Sequence, residues 1–112
     1  MKIFIAGRGV LLAGQVREAS TFWQRALGLW RFPRLRPGEG LYLKDCQWVH
    51  TLGLAYAIDT LHLDAHQRVV ARETLKPGSI GRWVRAGRDV LELPAGACQS
   101  AGCQDGDQLE FG

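Results

Sequence analysis

The sequence has 112 residues, of which 46% are hydrophobic and 22% are charged, a composition that excludes a disordered chain. This length and composition favour one soluble domain over residues 1–112. The net charge of +3 is uneven, with a basic surplus in residues 1–56 (8 − 3 = +5) and an acidic one in 57–112 (6 − 8 = −2), so an anionic partner is allowed but not required.

The first part of the chain predicts two β-segments, a short helix and a loop. The segments 2–6 (KIFIA) and 10–19 (VLLAGQVREA) are apolar and partly alternating, which is typical of strands. Thr21 and Gln24 form a capping-box pattern, and apolar residues then repeat at helical spacing, which predicts a helix near 21–29. Prolines and glycines in 31–40 predict a loop.

The rest of the chain predicts further short strands. The segments 57–64 and 68–75 predict a hairpin around the turn DAHQ, and strands are also expected at 41–45, 89–96 and 107–112. The segment 76–88 is an irregular link. This pattern indicates a mainly β, β-rich α+β protein, a small antiparallel β-sandwich or partly closed barrel with one or two short peripheral helices.

The cysteine count and the hydropathy pattern bear on the cellular compartment. Three cysteines exclude a framework in which every cysteine is paired in a disulfide. The longest uncharged run, 46–58, is too short for a membrane span, which takes about 20 apolar residues. Residues 1–14 show no clear signal-peptide pattern. We therefore expect reduced thiols, no membrane span and a cytoplasmic location.

Several stretches resemble a known family in order and in spacing. The block from Cys46 to Asp64 (CQWVHTLGLAYAIDTLHLD) is similar to the pattern C-x-x-V-H-T-x-G-M-x-F-x-I-D-x-x-F-L-D, and 90–96 is similar to V-L-E-L-P-A-G. Leu54 replaces the usual Met, and His62 replaces an aromatic residue. Over about residues 9–112 the sequence resembles the bacterial and archaeal family known as domain of unknown function 192. The resemblance implies a compact β-rich domain with a peripheral helix, and it implies no reaction. We expect no cofactor.

A polar group in these two blocks is the main candidate for a ligand site. It consists of His50, Thr51 and Asp59 from the first block and Glu92 from the second. A carboxylate in the apolar strand around Asp59 needs a partner, and His50 is the expected one. Two interpretations stay open, a shallow pocket that binds a small ligand and a buried network that sets strand register.

Cys46 and His50 raise a second hypothesis, a Cys/His hydrolase-type enzyme. A thiolate nucleophile needs a base within hydrogen-bond reach, but residues four apart in a strand lie about 13 Å apart. The alternative is a packed thiol. A zinc set of Cys46, His50, Cys98 and Cys103 would have unusual spacings, so we assign no metal site. A disulfide between Cys98 and Cys103 would require an oxidising compartment.

Arginines and tryptophans occur together in two predicted loops, which indicates an anion-binding surface. Single-stranded nucleic acid is held by phosphate contacts and by stacking on aromatic rings, and it is one candidate partner. The alternative is a solvated loop anchored by its tryptophan. The candidate anion-binding residues are Arg31, Arg34, Arg36, Arg82, Arg85 and Arg88.

These observations together favour a non-catalytic binding or accessory module with a shallow polar pocket. Its partner would be an unidentified small molecule or protein. The competing hypotheses are an anion or nucleic-acid binder through the Arg/Trp loops and the Cys/His enzyme.

Overall fold

The computed structural model of the protein describes residues 1–19 and 34–112. Within these residues the chain forms eight β-strands and one short α-helix. In chain order they are β1 (Ile3–Ile5), β2 (Val10–Ala13), β3 (Gln15–Ala19), β4 (Glu39–Leu43), β5 (Ile58–Leu63), β6 (Val69–Leu75), β7 (Asp89–Pro94), α1 (Ala97–Ala101) and β8 (Leu109–Phe111). This confirms the prediction of a β-rich α+β protein, while the helix predicted near 21–29 lies outside the described residues.

Five strands form the larger sheet in the order β3-β4-β7-β5-β6. The predicted hairpin is confirmed, because β5 pairs antiparallel with β6 from Ile58 opposite Leu75 to Leu63 opposite Val69. β7 runs antiparallel to both β4 and β5, whereas β3 is parallel to β4. The sheet is therefore mixed. A tight hairpin between β3 and β4 would have made these strands antiparallel, whereas the long segment that connects them allows the parallel arrangement.

The smaller sheet, β2-β1-β8, brings together the two ends of the described chain. β1 is antiparallel to both neighbours, with Ile5 opposite Leu109 of β8. The single predicted segment 10–19 is divided at Gly14, so that β2 joins this sheet and β3 joins the larger one. The N–H groups of Gly14 and Gln15 both donate to the carbonyl of Gly38, at 2.9 and 3.0 Å, and hold the chain at this crossing.

Alternate residues of the larger sheet enter two separate hydrophobic clusters. Leu61 and Leu91 belong to a first cluster, shared with the smaller sheet and α1. Ile58 and Val90 belong to a second cluster, which also contains Val49. Because side chains alternate along a strand, the two clusters lie on opposite faces of the larger sheet. All six residues of β5 are buried as a result. In the described part of the chain, no helix has the length and apolar character needed to cross a membrane.

Candidate ligand-binding sites

The four polar residues considered as one pocket lie in different parts of the fold. Asp59 and Glu92 are both buried, each with an exposed fraction of 4%. Glu92 lies opposite Thr60 of β5, whereas Asp59 lies opposite Leu93 of β7. Since successive residues face opposite sides of a sheet, the two carboxyl groups project from opposite faces. The structure therefore does not bring the four side chains together in a single pocket.

Asp59 anchors α1 to the larger sheet. Its Oδ2 accepts the backbone N–H groups of Gly96 and Cys98, both at 3.0 Å, and its Oδ1 accepts the hydroxyl of Thr74 at 2.7 Å. α1 has no side-chain cap of its own, so Asp59 satisfies the unpaired N–H groups at its beginning. The partners of Asp59 are thus amides and a hydroxyl, where the sequence suggested His50.

His50 and Thr51 join the segment before β5 to the loop after β6. The Thr51 hydroxyl accepts the N–H of Ser79 at 2.8 Å. His50 forms an isolated β-bridge with Ile80, and its Nδ1 accepts the N–H of Leu52 at 3.1 Å. Both residues therefore connect two loops, a role that matches the network interpretation.

Glu92 and Tyr56 carry buried polar atoms without a hydrogen-bond partner, namely Glu92 Oε2 and the Tyr56 hydroxyl. Burial raises the pKa of Glu92 to about 8, so its carboxyl is mostly protonated at neutral pH. Desolvation and the nearby Glu92 raise the pKa of Tyr56, while the guanidinium of Arg34 opposes this shift. Glu92 is therefore a neutral buried acid that lies close to Tyr56.

The Cys46 thiol and the His50 imidazole make contacts within their own segment. Cys46 Sγ donates to the carbonyl of Trp48 at 3.1 Å, and the His50 ring lies 5.5 Å from the Trp48 ring between centroids. A catalytic pair requires the imidazole to accept the thiol proton, and His50 Nδ1 already accepts the Leu52 N–H. These contacts give no support to an activated Cys46 nucleophile.

The zinc set considered from the sequence is divided between the two faces of the larger sheet. Cys46 packs against the second cluster, whereas Cys98 and Cys103 belong to the first. Over residues 1–19 and 34–112, no group of three or more His, Cys, Asp or Glu side chains is placed to hold a metal ion.

Two of the candidate arginines line one groove together with Tyr56. The groove, named here the arginine groove, has a volume of about 750 Å³. It is lined by Arg34, Leu35, Arg36, Pro37, Ala55, Tyr56, Ala57, Pro77, Pro94 and Ala95. The guanidinium carbon of Arg34 lies 4.8 Å from the centre of the Tyr56 ring, which is a cation–π contact. Within the described chain, neither Arg34 nor Arg36 forms an ion pair. Arg31 lies outside the described residues.

The other candidate arginines lie on the loop 76–88, which packs on the segment 46–51. The side-chain amide of Gln47 donates to the carbonyls of Arg85 and Gly87, each at 2.9 Å. At Gly81 the backbones approach so closely that a Cβ would lie 2.9 Å from the carbonyl oxygen of Val49. Only glycine fits there without displacement of the backbone.

This packing leaves a set of large apolar side chains exposed next to the basic loop. The set and the arginines of the loop form what we name the Trp/Arg surface, which consists of Trp48, Leu52, Ile80, Arg82, Trp83, Arg85 and Arg88. Trp83 is 67% exposed and Ile80 is 65% exposed. Arg88 pairs with Asp45 at 3.8 Å, although both side chains are well exposed.

Tyr56 lines the arginine groove, although the sequence did not predict it as a site residue. Tyr56 occupies the aromatic position of the family pattern, where an aromatic residue is normally explained by core packing. Its contact with Arg34 joins residues that are distant in the chain, so no local pattern could have revealed it. The sequence signal for this groove lay in its arginines, since Arg34 and Arg36 were both predicted as anion-binding residues.

Comparison with solved structures places the fold among known ones. A protein of unknown function from Novosphingobium aromaticivorans matches with a TM-score of 0.83 and 19% identity, over 99% of this chain and 84% of that chain. A second structure, from Sinorhizobium meliloti 1021, matches with a TM-score of 0.70 and 19% identity, over 97% and 89% of the respective chains. At this identity the structures show a common fold alone.

Sequence comparison identifies the family. UPF0127 protein PH1112 from Pyrococcus horikoshii is 34% identical over 101 residues, which cover 88% of each protein. The family model DUF192, described as "Uncharacterized ACR, COG1430", matches residues 3–111, a span that begins slightly earlier than the resemblance noted from the motifs. The resemblance is thus confirmed over nearly the whole chain, and the protein belongs to the DUF192 family.

Proposed function

We propose that the protein is a non-catalytic binding module that holds a small anionic ligand in the arginine groove. The observation that carries the proposal is the pair Arg34 and Arg36, which line the groove and form no ion pair among the described residues. A guanidinium group binds a carboxylate or a phosphate through two parallel hydrogen bonds. Two such groups on one groove favour a ligand with more than one anionic oxygen.

The size and the walls of the groove support this proposal. Its volume of about 750 Å³ lies within the range of roughly 300–1,000 Å³ that is usual for small-molecule sites. The Tyr56 ring packs against Arg34, which restricts the side chain and reduces the entropy lost on binding. Pro37, Pro77 and Pro94 stiffen the surrounding backbone.

The chemistry of the lining residues is the reason that we propose binding without catalysis. The described residues of the groove include no Ser, Thr, Cys, His, Asp or Glu, the side chains that most often act as nucleophile or general base. We also propose a cytoplasmic location, since the free thiols of Cys98 and Cys103 suit a reducing compartment.

The Trp/Arg surface supports a second candidate function, the binding of single-stranded nucleic acid. Four of the seven large apolar side chains that are exposed on the described chain belong to it. Exposed aromatic rings next to arginines are the combination that stacks on bases and contacts phosphates.

Isothermal titration calorimetry with inorganic phosphate and with citrate tests the main proposal. The variant is the double substitution Arg34→Gln/Arg36→Gln, and the matched control is Arg82→Gln/Arg85→Gln, which removes the same charge from the Trp/Arg surface. We expect wild type and control to bind alike, with an affinity that falls as salt is added, and the first variant to bind at least about tenfold more weakly.

Two results would contradict the proposal, namely equal weakening in both double variants and the absence of binding at low salt. A fluorescent oligothymidylate, titrated with the same proteins, separates the two candidate functions. Nucleic-acid binding that is lost in the Arg82/Arg85 variant and retained in the Arg34/Arg36 variant would support the second candidate, and it should also fall steeply with salt.

A further inference from the structure

The end of α1 places two cysteine thiols side by side. The N–H of Cys103 donates to the carbonyl of Cys98, and the N–H of Gly102 donates to the carbonyl of Gln99, both at 3.0 Å. Gly102 has a φ of 69°, so these bonds form a Schellman motif. In this motif the residue after the glycine contacts the residue at the start of the last helical turn, usually through apolar side chains. Here both positions are cysteines, and the Cys98 thiol donates to the backbone carbonyl of Cys103 at 3.4 Å.

These thiols line a cleft bounded by β5, β6 and α1. The cleft has a volume of about 560 Å³, which is enough to admit a small molecule. Arg72 lies in it, where Nη1 donates to the carbonyl of Cys103 at 2.7 Å and Nε donates to Asp105 at 2.9 Å. Cys98, Cys103 and Arg72 all line this cleft.

The surroundings make the two thiols chemically different. Cys98 is 7% exposed and Cys103 is 2% exposed, so a small molecule in the cleft reaches Cys98 first. The guanidinium of Arg72 lines the same cleft, where its positive charge would stabilise negative charge on an attacking sulfur. Burial and the neighbouring Cys98 raise the pKa of Cys103 to about 12, so Cys103 stays protonated. Cys98 is therefore the attacking sulfur and Cys103 the second one to react.

We propose that Cys98 and Cys103 form a thiol–disulfide exchange site whose oxidant is a low-molecular-weight disulfide, RSSR. The Cys98 thiolate attacks one sulfur of RSSR, so that a Cys98–SR bond forms and RS⁻ leaves with the electron pair of the broken S–S bond. Cys103 then gives its proton to a released thiolate and attacks the Cys98 sulfur, which forms the Cys98–Cys103 bond and releases the second RS⁻. The two protein thiols lose two electrons and two protons in total, and RSSR becomes two RSH.

This site is independent of the arginine groove. A persistent Cys98–Cys103 disulfide would need an oxidising compartment, but a transient one is compatible with a reducing compartment. Disulfides of cytosolic proteins are usually transient and serve redox sensing or catalysis. A low-molecular-weight thiol would reverse the reaction through the same mixed disulfide. The new bond would connect two residues that the Schellman motif already holds in contact.

The Cys46→Ser protein tests the proposal, because Cys98 and Cys103 are then its only cysteines. It is incubated with glutathione disulfide, quenched with acid, denatured, labelled with N-ethylmaleimide and weighed by mass spectrometry. We expect both thiols to disappear together with a loss of two hydrogen atoms, and dithiothreitol to restore both. The double variant Cys46→Ser/Cys103→Ser should stop at a glutathione adduct on Cys98.

Arg72→Gln, combined with Cys46→Ser, should slow the first step about tenfold. The matched control is Arg68→Gln, since Arg68 is an exposed arginine close by in the chain.

Three outcomes would each overturn the proposal. They are two labelled thiols after oxidation, a disulfide between two chains, and glutathione on both cysteines without an internal disulfide. If the Cys103 variant fails to fold by circular dichroism, the Cys46→Ser protein decides alone. The rate of Cys98–Cys103 disulfide formation is then measured in the folded Cys46→Ser protein and in the same protein in urea. A rate in the folded protein that equals or exceeds the rate in urea supports the site, and a lower rate overturns it.

Discussion

Asp59 and Glu92 are acids with the same small exposure of 4% and with opposite surroundings. Asp59 accepts three hydrogen bonds from donors that face it, so its buried position is compensated. Glu92 has a buried oxygen without a partner, and desolvation moves its pKa to about 8. At the scale of residues, the donors within reach therefore distinguish the compensated acid Asp59 from the uncompensated acid Glu92.

Glu92→Gln should change the pH dependence of stability. The pKa of Glu92 lies at about 8 in the folded state, above its ordinary value of 4.5, so the folded state binds more protons between these limits. The free energy of unfolding should therefore fall as pH rises from about 4.5 to about 8, by up to about 1.4 kcal/mol per pH unit. The neutral amide of Gln removes this fall.

Urea denaturation of both proteins at several pH values between 5 and 9 measures the effect. Burial lowers the pKa of His62, which acts in the opposite sense, so the difference between wild type and variant isolates Glu92. Parallel stability curves for the two proteins would show that Glu92 ionises normally in the folded state.

At the scale of elements, α1 depends on the sheet beneath it. A helix of five residues is too short to be stable alone, and α1 has neither an acidic residue in its first turn nor a side-chain cap. Asp59 provides the missing acceptor from β5, and the Schellman motif ends the helix at Gly102. The position of α1, and with it the cleft that contains Cys98, follows from these contacts.

Asp59→Asn should destabilise the protein without weakening the binding of anions in the arginine groove. The neutral amide oxygen of Asn makes weaker hydrogen bonds to the N–H groups of Gly96 and Cys98 than the carboxyl group of Asp59 does, and its NH2 group cannot accept the Thr74 hydroxyl, so we expect a loss of about 1–3 kcal/mol. Thr74→Val is the matched control, because it removes one bond to Asp59 from the exposed side and should cost about 0.5–1.5 kcal/mol. Urea denaturation compares the two, and equal stability of the Asn variant and wild type would contradict the anchoring role.

At the scale of the whole molecule, the two sheets depend on one shared core. The first cluster combines residues of both sheets with Cys98 and Cys103, whereas the second cluster lies on the far face of the larger sheet. β1 pairs with β8, so the ends of the chain are held together within the smaller sheet. Loss of packing at β8 should therefore weaken the contact between the two layers.

Leu109→Ala tests this dependence. Leu109 is 3% exposed and belongs to the first cluster, so its truncation should lower the free energy of unfolding by about 2–5 kcal/mol. Leu11→Ala is the control in the same sheet, because Leu11 is 49% exposed and should change stability by about 0.5 kcal/mol or less. Thermal and urea denaturation measure both variants, and similar losses in the two would show that the smaller sheet contributes little core.

The sequence by itself determined the β-rich class, the β5–β6 hairpin and the family. These are local properties, because alternation, turn residues and motif spacing act within short stretches of chain. The tertiary structure decided which residues meet: β3 lies parallel to β4, Asp59 and Glu92 face opposite sides, and Arg34 packs on Tyr56. The period of a strand shows which residues share a face, but not which distant element covers that face. The candidate sites are built from such long-range contacts, so the sequence contained their side chains and only the fold brought them together.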